Sequence, residues 1–170
     1  MSTAPSSTAA FLERFRNRVA SLPELVGRVK IDETVRDGGP TVVINIPKSD
    51  AAGFDIEVAF FDNWEIFVFA DQSTVSFFLS NKARHNARNS ERIDASIAFV
   101  LNLLGPRHRL RQSYCGKEVY RGVVEERVAT GWKVVARYGR LMLWRHLFSS
   151  HSEKVFQNTA LTSSNHDGTA

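Results

Sequence analysis

The spacing of apolar positions changes three times along the chain. Phe11, Phe15, Val19 and Leu22 recur at intervals of four, four and three, with Glu13, Arg14, Arg16 and Arg18 between them. That spacing puts the apolar groups on one face of a helix and the charges outside it. Ser7 or Thr8 can cap this helix, and Pro23 ends it because it lacks a main-chain N–H. From Val26 to about Ser80 the period drops to two, the signature of strands. Val29 and Ile31 alternate with charged neighbours, and the turn cluster Asp37-Gly38-Gly39-Pro40 leads into a strand over 41–46. After a break at 47–53, Phe54, Ile56, Val58 and Phe60 alternate with Asp55, Glu57 and Ala59. Asp62-Asn63 reads as a hairpin turn into Trp64, Ile66 and Val68, and a further strand covers 74–79. Strands joined by such short turns pair antiparallel, since a parallel pair needs a long crossover.

Helical spacing returns at Ile93, Ile97, Val100, Leu101 and Leu104. Asn89 or Ser90 can cap this second helix, and Gly105-Pro106 stops it. Period two then resumes at Leu110, Gln112 and Tyr114, turns at Cys115-Gly116-Lys117, and continues over 119–128 and 132–138 with a turn at Thr130-Gly131. Gly139 separates a last apolar piece, Leu141 to Phe148. Runs of strands divided by helices, rather than strict alternation, predict an α+β fold. The expected form is a single domain: one curved antiparallel sheet of seven to nine strands with two helices packed on one face. Residues 9–158 form that domain, 1–8 a flexible N-terminal tail and 159–170 a disordered C-terminal tail, since neither end carries enough apolar surface to offset ordering entropy.

Composition narrows the class. A chain of 170 residues with 43% apolar and 24% charged residues can build a core without staples. The lone Cys115 excludes an internal disulfide and any multi-cysteine metal site. No targeting signal is recognisable near Met1, and no apolar run approaches the roughly 20 residues of a membrane span, so a cytoplasmic location is expected.

Signatures of catalysis are missing. No phosphate-binding glycine loop, nucleophile elbow, zinc-protease helix or dinucleotide fingerprint occurs, and Gly38-Gly39 precedes a strand rather than a helix. His146 and His151, five apart, suit neither one helix face nor one strand side, and His85, His108 and His166 are scattered, so no metal site and no cofactor are implied. Cys115 and His108 stand at opposite ends of one strand, roughly 23 Å apart when extended, too far to act as nucleophile and base. The acidic set Asp55, Glu57, Asp62, Glu65 and Asp71 reads as the solvent side of a sheet, although Phe67 and Phe69 continue that side beyond Glu65. Such a strand is either covered on both sides or keeps a patch for a partner.

Charge is unevenly spread. From Lys82 to Arg111, seven basic residues face only Glu91 and Asp94, a local excess of five in a chain whose net charge is +4. Arg84, Arg88, Arg107, Arg109 and Arg111 therefore form a candidate basic edge, with Arg109 and Arg111 on one strand face. The planar arginine fork suits carboxylate or phosphate, so the expected partner is an acidic protein surface, with nucleic acid the alternative and a membrane excluded. The phenylalanine pairs at 60–61 and 77–78 lie away from the arginines, which weakens the nucleic-acid alternative. Glu57, Trp64, Tyr114 and Trp132 are candidates to line a pocket between sheet and helices, the enzyme or ligand-binding alternative.

The run from Phe54 to Phe69, the helix Ile93 to Leu104, the stretch Tyr114 to Tyr120 and the closing Leu143 to Phe148 resemble small bacterial α+β proteins of the polymorphic-toxin immunity type. The similarity covers residues 54–158 in the order and spacing of elements. It implies binding rather than catalysis and supplies no catalytic residues. A histidine pair that such proteins often carry in the central hairpin is replaced here by Asn63 and Glu65.

Overall fold

The structure is a computed structural model that describes residues 7–33, 42–61, 65–71, 73–78, 86–139, 150–159 and 161. The turns expected at Asp37-Gly38-Gly39-Pro40 and Asp62-Asn63, and the apolar piece Leu141 to Phe148, lie outside these residues, as do most of the two expected tails. The described residues form two helices and nine strands, and the protein is α+β. No helix among the described residues is long and apolar enough to cross a membrane.

The chain divides into two compact units. The first holds helix α1 (Ser7–Ala20), a single 3-10 turn at Pro23–Leu25, strands β1 (Lys30–Asp32), β2 (Val42–Ile46) and β3 (Ile56–Phe61), and most of β4 (Glu65–Ala70) and β5 (Ser73–Phe78), whose facing ends at 70–74 belong to the second unit. Most of helix α2 (Asn86–Leu103) belongs to it as well. The five strands pair in chain order, β1-β2-β3-β4-β5, with Ile44 opposite both Ile31 and Val58. This register puts Val42, Ile44, Ile46, Ile56, Val58 and Phe60 on one face, all buried. Phe11 and Phe15 stack at 5.8 Å on α1, and Phe11 meets Phe60 of β3 at 5.5 Å. Each fully buried phenylalanine contributes on the order of 1.5–3 kcal/mol relative to leaving it in water. Arg14 donates to both oxygens of Asp94 at 2.9 and 3.0 Å, and so links the two helices. With both side chains well exposed, that pair adds little stability.

On the other face of this sheet Phe61, Phe67 and Phe69 form a half-buried row, at 5.3 Å (edge to face) and 6.0 Å between rings. Asp55 and Glu57 are exposed on the same strand side as Phe61.

The second unit holds β6 (His108–Cys115), β7 (Glu118–Val128), β8 (Gly131–Gly139) and β9 (His151–Phe156) as a separate antiparallel sheet in the order β8-β7-β6-β9. The expectation of one curved sheet is corrected here. The described residues make nine strands, but β5 and β6 are not neighbours, because α2 intervenes and β6 satisfies both its edges with later strands. Period-two spacing marks strands without saying which edges meet.

Residues 48–54 also belong to the second unit, held by a clamp of main-chain and side-chain bonds. Asn158, 1% exposed, accepts from the Phe54 amide at 3.1 Å and donates to the carbonyls of Phe54 and Leu103, each at 3.1 Å. The Gln157 amide donates to Ala52, Thr159 Oγ1 bonds Asp50, and the Leu161 amide donates to Leu104. Thr159 and Leu161, which make two of these bonds, lie within the 159–170 segment expected to be a tail.

Candidate binding face

The faces of the second sheet follow from its registers. Arg109, Arg111 and Ser113 of β6 stand opposite Glu125, Val123 and Arg121 of β7, and β8 adds Trp132 opposite Arg127, Val134 opposite Glu125 and Arg137 opposite Val123. Cross-strand partners share a face, so five arginines (Arg109, Arg111, Arg121, Arg127 and Arg137) and Trp132 lie on one side of one sheet. The opposite side carries Leu110, Val124 and Ala136, all buried.

Glu125 is the centre of the charged face. Its side chain is only 5% exposed, yet Arg109 Nε donates to Oε2 at 2.7 Å, while Arg111 donates to Oε1 through Nη2 at 2.7 Å and Nε at 3.2 Å. Burial alone raises the Glu125 pKa; the hydrogen bonds and charges of Arg109 and Arg111 outweigh it, and the net shift is downward from 4.5. The carboxylate stays ionised. Arg109 also lies 4.1 Å over the Trp132 ring, and Arg111 Nη1 stands 3.8 Å from Glu153 of β9. Arg121, Arg127 and Arg137 are exposed and have no ion pair among the described residues.

The sequence-predicted basic edge is thus rearranged. Arg109 and Arg111 do share a face, but their side chains are 25% and 32% exposed and both are bound to Glu125. Arg107 is exposed just before β6, and its carbonyl accepts the Arg127 amide at 2.7 Å. Arg88 is exposed on α2 in the first unit, and Arg84 lies outside the described residues. Sequence reasoning missed Glu125, Arg121, Arg127 and Arg137. Alternation along 119–128 could have flagged the first three, because Arg121, Glu125 and Arg127 are all odd-numbered. Arg137 could not be found by counting, since a bulge in β8 inserts Val135 and shifts its parity relative to Trp132.

The four pocket candidates are not brought together. Trp64 lies outside the described residues, and Glu57 is exposed in the first unit. Tyr114 and Trp132 share a sheet but point to opposite faces: Tyr114 lies under Lys154 Nζ at 5.1 Å, Trp132 under Arg109. The Tyr114 hydroxyl donates to Gln112 Oε1 at 2.7 Å, and Gln112 Nε2 donates to Asp71. Burial, then the charge of Asp71, pushes the Tyr114 pKa up, so the phenol keeps its proton. His108 is 3% exposed, and burial lowers its pKa despite the charge of Glu126 and a hydrogen bond to the Asn102 backbone. Cys115 is buried on β6. Among the described residues no group of three or more His, Cys, Asp or Glu side chains could hold a metal ion.

No protein-family model matches the chain, and no curated protein and no solved structure matches it significantly.

Proposed function

We propose that the chain is a non-enzymatic binding protein, immunity-like in kind, that engages an acidic surface of a partner protein through the arginine face of β6–β8. The observation that carries this reading is the set Arg121, Arg127 and Arg137: three exposed cations on one sheet face, without counter-ions among the described residues, around a core of Arg109, Arg111 and Glu125. Between His108 and Gly139 seven basic residues stand against three acidic ones, so the field over this sheet favours anions. A β-sheet holds these charges on a rigid lattice, with neighbours across strands about 5 Å apart. An acidic protein surface can meet several of them at once.

Anisotropy of a fluorescein-labelled 20-residue polyglutamate, titrated with the protein at about 20 mM salt, tests the reading, because exposed pairs are weakly screened there. Binding is expected, with affinity falling at least tenfold in Arg121→Gln/Arg127→Gln/Arg137→Gln. No binding by the wild type, or equal binding by the triple variant, refutes it.

A second reading, single-stranded nucleic acid, draws on Trp132, which stands among the arginines although the phenylalanine pairs do not. It is weaker because one face of the Trp132 ring is already taken by Arg109, whereas strand binding uses open stacking platforms. A labelled 20-nucleotide oligo-dT run in parallel separates the two: tighter binding of the oligonucleotide would reverse their order.

A further inference from the structure

Two of the five arginines are immobilised, and they are immobilised differently. Arg111 spends both Nε and Nη2 on Glu125 and turns Nη1 towards Glu153. Arg109 uses Nε alone, at 2.7 Å from Glu125 Oε2, while its plane rests 4.1 Å over Trp132. Its Nη1 and Nη2 make no hydrogen bond among the described residues, so the end-on edge of the guanidinium remains available. A guanidinium held from behind by a buried carboxylate and from below by an indole has little rotamer freedom left to lose on binding. Partial burial also strengthens its attraction for an anion relative to a fully solvated arginine. Arg127, directly across from Trp132, is exposed beside it.

Resting on the acidic-partner reading, we propose that Arg109 is the anchor of the site, receiving one carboxylate of the partner end-on through Nη1 and Nη2. Trp132 is its floor, Glu125 the positioning residue behind it, and Arg127 the second cation for a neighbouring carboxylate. Arg121 and Arg137, long, exposed and unpaired among the described residues, steer the encounter. The division of labour is kinetic: a desolvated, oriented contact slows dissociation, whereas solvent-exposed charges speed association.

Stopped-flow binding of the labelled polyglutamate 20-mer to the full chain tests this. Arg109→Lys keeps the charge and loses the fork; it is expected to raise the dissociation rate about tenfold while changing the association rate less than about twofold. Arg137→Gln is expected to lower the association rate about two- to threefold with little effect on dissociation. Trp132→Leu leaves the Arg109–Glu125 pair in place and removes the floor, so it should reproduce part of the Arg109→Lys effect even if that variant folds poorly. Equal effects of Arg109→Lys and Arg137→Gln on dissociation would overturn the anchor while leaving the acidic-partner reading standing. Loss confined to oligo-dT would overturn the carboxylate site in favour of phosphate. Failure of the wild type to bind polyglutamate would remove both proposals.

Discussion

Removing the Asn158 amide should cost more stability than any surface substitution in this protein. Three main-chain groups depend on it: the Phe54 N–H, the Phe54 carbonyl and the Leu103 carbonyl, each at 3.1 Å. Leu103 is the last residue of α2, whose terminal carbonyls have no partners within the helix. In Asn158→Ala these groups lose their partners beside Phe54 and Leu103, both buried. Stranding a buried polar group costs about 1–3 kcal/mol, and a water entering the vacated volume can recover part of that. For three groups, taking the low end of that range, the loss is about 3 kcal/mol. In a chain of this length it lowers Tm by roughly 6–12 °C. Asn158→Asp sharpens the test: its carboxylate can accept from Phe54 N–H but turns an oxygen towards two carbonyls. Its folded-state pKa must then rise above about 3.9, so this variant gains stability relative to the wild type as pH falls through the raised value. Urea unfolding followed by circular dichroism at pH 7 and pH 4 measures both. An Asn158→Ala loss below about 0.5 kcal/mol, the range of ordinary surface changes, would refute the clamp. So would an Asn158→Asp variant that weakens on acidification as much as the wild type does.

Two other outcomes follow from the same unit. A Cβ on Gly53 would stand 2.5 Å from Asn158 Oδ1, an atom already held by Phe54, so Gly53→Ala should destabilise by about 1–3 kcal/mol, and by much less when Asn158→Ala is also present. Additive losses in that double-mutant cycle would show that the crowding is not with Asn158. The lowered pKa of His108 means that the unfolded chain takes up a proton first; stability is fully present above 6.5 and falls as pH drops from there towards the folded value. Glu125, lowered from 4.5, adds a second loss as pH falls below that value, because the unfolded chain's carboxylate takes up a proton while the folded one is still ionised. A thermal melt series from pH 8 to pH 3 should show both losses setting in, and His108→Gln should flatten only the upper one; an unchanged slope there would clear His108 of the role.

The local elements were largely legible along the chain. Phe11 and Phe15 at helical spacing, the alternation from Phe54 to Phe60, and Gly105-Pro106 after α2 each state a local preference that the neighbours do not contradict. Gly116 and Gly131 at positive φ show why the turns fall where Cys115-Gly116-Lys117 and Thr130-Gly131 place them. The edge strand β9 was not legible: its residues are mostly exposed, so no inward-facing series marks it, and only pairing with β6 makes it a strand.

The candidate face was less legible still. Local charge counting found Arg109 and Arg111 but could not see Glu125, sixteen and fourteen residues away, closing on them. It grouped them with Arg88, which belongs to the other unit, and overlooked Arg137, whose side is set by the Val135 bulge. Sequence by itself determined the periods, the turns and the surplus of arginine, because these depend on each residue's near neighbours. Tertiary structure decided which strands pair, where the sheet divides and which arginines remain unpaired among the described residues, because these depend on register. A single inserted residue in one strand reverses the side on which everything after it points.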